Sequence, residues 1–155
     1  MTVSAWRITK RKYSKIAFSG EGARLFGGRW NSPGVPVVYA AGSQSLAALE
    51  MLVHFGSPEQ LHHYVMFQAE FDDSLVKAVD ISSLPKNWRA SPPPAAVRAI
   101  GDEWVRISAS PVLRVPSVLV PAEINFLINP EHRDFPQLEI SKPLPFDFDH
   151  RFSEE

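Results

Sequence analysis

A glycine-rich turn, a short apolar run and a capped helix follow one another between Gly27 and Gly56, and no other stretch restricts the fold as tightly. Gly27-Gly28-Arg29-Trp30-Asn31-Ser32-Pro33-Gly34 is made of residues that reverse the backbone. Val35 to Ala41, interrupted by Pro36 and bounded by Gly42-Ser43, predicts a buried strand. Ser43 or Ser45 can cap the helix that follows, whose apolar positions Leu46, Leu49, Leu52 and Val53 recur at helical spacing up to a stop at Gly56. These four span an arc of about 120° at 100° per residue, with Glu50 just outside its edge and His54 one turn further on. Arg29 on a glycine loop, Tyr39 at a strand end and Glu50 on a helix therefore fall within 22 positions.

Around this unit, Ala5 to Thr9 reads as a short strand and Lys10 to Gly22 as a polar connection. Tyr64 to Phe71 alternates, with Val65, Phe67, Ala69 and Phe71 on one side, and Leu75 to Ile81 is a second candidate strand. Pro92-Pro93-Pro94 leads into a helix from about Ala95 to Ser108, proline being tolerated in a first turn. Val112 to Pro121 is strand-like, with Pro116 and Pro121 forcing edges or bends. Asn125 to Pro130 reads as a polar turn, and a tail rich in Pro, Asp and Phe begins near Lys142. No regular βαβ alternation is present, so the expected class is α+β. At 155 residues the chain suits one compact domain over 1–155.

Charge and residue usage exclude several functions. The net charge is −1 and the only basic cluster, Arg7 to Lys15, is short and interrupted, so no nucleic-acid footprint is expected. There is no cysteine, which removes disulfides, thiolate zinc sites and a cysteine nucleophile. His62 and His63 are adjacent and would point to opposite faces of a strand, while His54 and His132 lack a ligand-type partner, so no metal site is expected. Gly20-x-Gly22 lacks the third glycine of a dinucleotide fingerprint. Met1 to Lys15 carries charges where a signal peptide needs an apolar core, and apolar runs fall far short of the 18 or so residues of a membrane span. A soluble cytoplasmic protein without membrane or direct nucleic-acid partners is the expectation.

The chemistry of the Arg29–Glu50 unit suits a phosphorylated, cationic ligand such as NAD. A guanidinium can grip phosphate with two parallel bonds, an aromatic ring can stack, and a carboxylate can face developing positive charge. Each residue also has a plainer reading. Arg29 could be an exposed arginine on a hairpin loop, Tyr39 a core aromatic whose hydroxyl reaches the rim, and Glu50 a surface carboxylate bonded to His54. Ser117 could merely satisfy backbone groups, and Arg7 could be a rim charge.

At Gly28-Arg29-Trp30-Asn31, Val37-Val38-Tyr39-Ala40 and Ala48-Leu49-Glu50-Met51-Leu52-Val53-His54 the sequence resembles the RES domain, named for arginine, glutamate and serine. The similarity continues through Val115-Pro116-Ser117, Asn125, Asn129-Pro130-x-His132 and the closing Phe146-Asp147-x-Asp149-x-Arg151-Phe152. The resemblance implies a toxin of an Xre-RES toxin–antitoxin pair, with an ADP-ribosyltransferase-like core that degrades NAD by phosphorolysis or hydrolysis of the nicotinamide bond. Some members modify proteins instead, and a catalytically silent module that binds antitoxin or NAD is a further alternative. It implies NAD as substrate, phosphate as a potential co-substrate, and a helix-turn-helix antitoxin of Xre type as partner; a homodimer stays open. Carried over, Arg29, Tyr39, Glu50 and Ser117 are the expected catalytic residues, and Arg7, Arg29, Tyr39 and Asn125 the expected NAD-binding ones. Arg29 would hold pyrophosphate or the nicotinamide ribose, Tyr39 would stack on nicotinamide or order its ribose, and Arg7 would be a second phosphate clamp. Ser117 would hydrogen-bond the ligand or Glu50. Leu75 to Ser110 matches no motif.

Overall fold

A computed structural model describes residues 1–54 and 61–153. Eight strands form one sheet: β1 (Thr2–Lys10), β2 (Val38–Ala41), β3 (Tyr64–Asp72), β4 (Val76–Ala78), β5 (Val112–Pro116), β6 (Ile124–Ile128), β7 (Glu139–Ile140) and β8 (Leu144–Phe146). Their order is β4-β5-β6-β2-β1-β3-β7, with β8 also pairing β3, and every pairing is antiparallel except β4 with β5. Among the described residues three α-helices accompany the sheet: α1 (Glu21–Phe26), α2 (Gln44–Leu52) and α3 (Ala95–Arg106). The α+β expectation is met.

The sheet is nearly split in the middle. β1 pairs with β3 over its whole length, from Thr2 opposite Asp72 to Lys10 opposite Tyr64, yet it meets β2 only at Trp6 opposite Ala41. On one face, α2 packs over Ile8, Ala41 and Met66, while α3 packs Val97 and Trp104 over Leu113, Val115 and Leu127. Ala5, Val38, Ala69, Phe71, Phe126 and Ile128 form the core of the opposite face. Pleating sends alternate side chains to opposite faces, so both faces of β3 are apolar where each is covered. Tyr64 and Met66 lie under α2, and Val65 and Phe67 pack on Ala17.

Several expectations are corrected. Asn125–Pro130 is not a polar turn: β6 occupies Ile124–Ile128 in the interior of the sheet. The polar connection after β1 holds a 3₁₀ turn (Arg11–Ile16) and α1. Of Leu75–Ile81 only Val76–Ala78 is strand, because Asp72 and Asp80 cap 3₁₀ turns on either side of it. The strand expected from Val112 to Pro121 stops at Pro116, where Ser117 starts a turn. Ser43 does cap α2, accepting from the Leu46 N–H at 3.1 Å, whereas the expected stop at Gly56 lies outside the described residues. The Pro- and Phe-rich tail folds back on the chain, with β8 on β3 and Phe148 buried against Tyr64 beneath α2.

Candidate active site

The burial of α2 differs from its apolar arc, and the difference creates the site. Leu49 and Val53 are exposed, whereas Leu46 and Ala47 are buried and Met51 is partly buried. Glu50 falls between Leu46 and Ala47 on the helical wheel, so it faces inward. A carboxylate brought toward a core requires donors. It has them: Ser117 Oγ donates to Glu50 Oε1 at 2.9 Å and Asn125 Nδ2 to the same oxygen at 2.8 Å. Glu50 Oε2 receives no hydrogen bond from the described residues, and Glu50 makes no bond to His54.

Ser117 is fully buried, and its oxygen accepts the backbone N–H groups of Leu119 and Val120 at 3.1 and 3.2 Å. A hydroxyl has one hydrogen, so with its lone pairs occupied it is aimed at Glu50. Asn125 lies on β6 opposite Ala41 and Val115. With Nδ2 given to Glu50, its Oδ1 is buried without a hydrogen-bond partner, a cost that the fold sustains to orient the carboxylate.

Arg29 is held by backbone. Its Nη1 donates to the carbonyls of Trp88 and Ala90 at 3.1 and 2.9 Å. Burial lowers its pKa, an effect opposed by Glu50, which acts on it through space rather than as a contact ion pair. The loop carrying Arg29 is fastened from below and from the side. Tyr39 accepts the Trp30 N–H at 3.1 Å and donates to Asn31 Oδ1. A β-carbon at Gly28 would lie 2.6 Å from that hydroxyl, which is why glycine precedes Arg29. Asn31 is fully buried and its Nδ2 donates to Ala23 and Val35 carbonyls at 2.9 and 3.0 Å. On the α3 side, Ser32 N and Oγ donate to the Asp102 carboxylate at 2.8 and 2.6 Å, and Gly101 admits the Trp30 carbonyl. Tyr39 is thus a positioning residue for the Arg29 loop, and burial raises its pKa.

Arg7 stands apart. Its neighbours Trp6 and Ile8 pack with α2, so its side chain leaves β1 on the other face, beside Phe67 and Ala17. Nε donates to the Ala17 carbonyl at 2.7 Å and Nη1 to the Tyr39 carbonyl at 2.9 Å, across the opening between β1 and β2. Burial without a carboxylate partner lowers its pKa to about 10. The structure therefore brings Glu50, Ser117 and Asn125 into direct contact, sets Arg29 on a clamped loop nearby, and uses Arg7 as a tie between the two halves of the sheet.

Sequence reasoning missed the supports. Asn31 lies inside the glycine-turn motif, and its position eight residues before Tyr39 carried no signal of their bond; Gly101, Asp102 and Trp88 come from a stretch without a motif. Among the described residues no group of three or more His, Cys, Asp or Glu could hold a metal ion, and no helix is long and apolar enough to cross a membrane. An open recess of about 520 Å³ between Lys77, Ser108 and His132 shares no lining residue with the Glu50 cluster.

Comparison with known proteins places the chain in a family. The family model described as the RES domain matches residues 4–149. Toxin Res of Yersinia enterocolitica is 43% identical over 147 residues, covering 94% of this chain and 97% of that protein. The Prs ADP-ribosylating toxin of a Sphingobium strain is 37% identical over 156 residues, covering 97% of each, and its name is consistent with an ADP-ribosyltransferase-like core. The crystal structure of the Mycobacterium tuberculosis MbcT–MbcA toxin–antitoxin complex contains a chain of the same fold. Its TM-score is 0.75 at 20% identity, covering 95% of this chain and 85% of that one. From Ser4 on β1 to Asp149 in the tail, this chain belongs to the RES domain family.

Proposed function

We propose that this chain is the toxin of a toxin–antitoxin pair and an enzyme that consumes NAD by breaking the bond between nicotinamide and its ribose. The observation that carries this reading is Glu50, with one carboxylate oxygen fixed by Ser117 and Asn125 and the other without a hydrogen bond among the described residues. As the C1′–N bond lengthens, its electron pair moves to the nicotinamide nitrogen, which leaves neutral, and positive charge builds on the ribose C1′ and ring oxygen. An oriented carboxylate stabilises that charge, as in glycoside cleavage. Water or phosphate then bonds to C1′ through oxygen; for water, the released proton passes to Glu50 or solvent. The products are nicotinamide and either ADP-ribose or its 1″-phosphate. Arg29 would bind the diphosphate, a role supported by a guanidinium only partly used on carbonyls.

The MbcT–MbcA likeness supports an antitoxin as partner, and an Xre-type helix-turn-helix protein is the form we propose. A cytoplasmic location follows from the substrate pool. The name of the Sphingobium relative favours a second reading, transfer of ADP-ribose to a protein through the same pocket. Incubating the purified chain with NAD and identifying products by mass spectrometry separates the readings: free ADP-ribose, its 1″-phosphate, or a protein gaining the ADP-ribose mass. In cells without antitoxin, NAD content should fall before growth stops. Growth arrest with unchanged NAD refutes NAD depletion as the toxic activity.

A further inference from the structure

The segment Trp88–Arg89–Ala90 bridges the two sides of the site. The carbonyls of Trp88 and Ala90 hold Arg29 Nη1, and between them Arg89 donates from Nε to the Val118 carbonyl at 3.0 Å. Val118 follows Ser117, whose hydroxyl holds Glu50. One short segment therefore touches both the Arg29 guanidinium and the turn behind the carboxylate.

Arg89 is exposed, and its Nη1 and Nη2 make no hydrogen bond with any described residue. Neither Arg29 nor Arg89 meets a carboxylate within ion-pair distance among the described residues. Carbonyl partners orient a guanidinium but leave its charge unneutralised, so each of these arginines keeps its positive charge available to an anion. With Nε fixed on Val118, the open edge of the Arg89 fork presents two donors in a plane, the arrangement that matches a pair of phosphate oxygens.

We propose that Arg89 is a phosphate-binding residue of this site, acting with Arg29. The proposal rests on the NAD-consuming reading for the identity of its ligand. Two sources share the chemistry: the diphosphate of NAD, and free inorganic phosphate, whose oxygen would bond to C1′ as the nicotinamide leaves with the C1′–N electron pair.

The test compares wild type, Arg89→Gln and Arg89→Lys, with Lys86→Gln on the same loop as control. Nicotinamide release is measured against NAD concentration and, separately, against phosphate concentration. Calorimetry with ADP-ribose and with inorganic phosphate reads binding without turnover. Arg89→Gln should raise the KM for NAD, or the half-saturating phosphate concentration, by about tenfold or more with kcat little changed, and Arg89→Lys should recover only part of it because it lacks the fork. A rise for NAD assigns the diphosphate; a rise for phosphate assigns the free anion. A fall in kcat with both concentrations unchanged reduces Arg89 to a support of the Ser117 turn and overturns the proposal. If wild type binds these ligands but releases no nicotinamide, the catalytic reading fails while calorimetry still judges Arg89. Equal binding by wild type and Arg89→Gln, or no binding of either ligand by wild type, overturns it.

Discussion

Gly101→Ala sets two physical effects against each other. In a helix interior alanine is favoured over glycine by about 1 kcal/mol, so α3 considered by itself predicts a more stable protein. Its contact with the Arg29 loop predicts the opposite. A β-carbon at position 101 would lie 1.8 Å from the Trp30 carbonyl oxygen and 2.9 Å from the carbonyl carbon. Carbon–oxygen contacts ordinarily sit at about 3.3–3.6 Å, so loop or helix must retreat by about 1.5 Å. Both contacting atoms belong to backbone and cannot rotate away. Retreat breaks the bonds from Ser32 N and Oγ to Asp102, each about 1.5–3 kcal/mol as a bond to a charged group, and overpacking adds about 1–3 kcal/mol. With every term at its low end and the helix gain subtracted, the net loss is about 3 kcal/mol. For a chain of this size that corresponds to a fall in Tm of roughly 6–12 °C. Scanning calorimetry measures it, and nicotinamide release well below the melting point should fall because Arg29 is displaced with its loop. Gly22→Ala is the control, since nothing lies within 4 Å of a β-carbon there. A Gly101→Ala protein that melts at or above the wild-type temperature would refute the clamping of the Arg29 loop by α3.

Glu50→Gln should keep the fold, because a glutamine oxygen can still accept from Ser117 and Asn125, while turnover drops by about 10²–10³, or roughly 3–4 kcal/mol; near wild-type nicotinamide release would remove Glu50 from the chemistry. Tyr39→Phe leaves the Trp30 N–H and Asn31 Oδ1 without their partner and should cost about 1–3 kcal/mol in a denaturant titration. Burial raises the Tyr39 pKa, so the folded chain keeps this proton after the unfolded chain has lost it. Stability should therefore decline as pH climbs past about 10, and part of that slope should vanish in Tyr39→Phe. Phe148→Ala should destabilise by about 3–5 kcal/mol, because the ring is buried at 4% exposure, 5.4 Å from Tyr64 and 4.9 Å from Phe146; an unchanged melt would mean that the tail contributes nothing to holding α2.

The near-split between β1 and β2 gives Arg7 a role that its residue type did not suggest. A single registered pair leaves backbone groups of both strands without a ladder, and the Arg7 guanidinium supplies a donor to Tyr39 across the gap. Tyr39 is therefore held twice, by its carbonyl through Arg7 and by its hydroxyl through the Arg29 loop. The far-face arginine is thus linked to the site through the strand that carries Tyr39.

The local elements were legible in the sequence because their signals are local. The Ser43 cap, the alternation of Tyr64–Phe71 and the proline entry to α3 each operate within a few residues, and the structure has α2, β3 and α3 where those signals lie. β6 stands where the sequence predicts a turn, because Asn125 has the character of a turn residue until its side chain has a carboxylate to hold. The same holds for α2: its apolar arc placed Glu50 at an edge, yet helix spacing specifies only which residues share a face, not which face meets the core. That was decided by Ser117 and Asn125, 67 and 75 positions away, whose donors make an inward carboxylate tolerable. Sequence pattern alone thus determined the candidate residues and most of the segments that carry them. Tertiary structure decided their orientation, because hydrogen bonds between distant segments, and the close approach that Gly28 and Gly101 permit, exist only once the chain has folded.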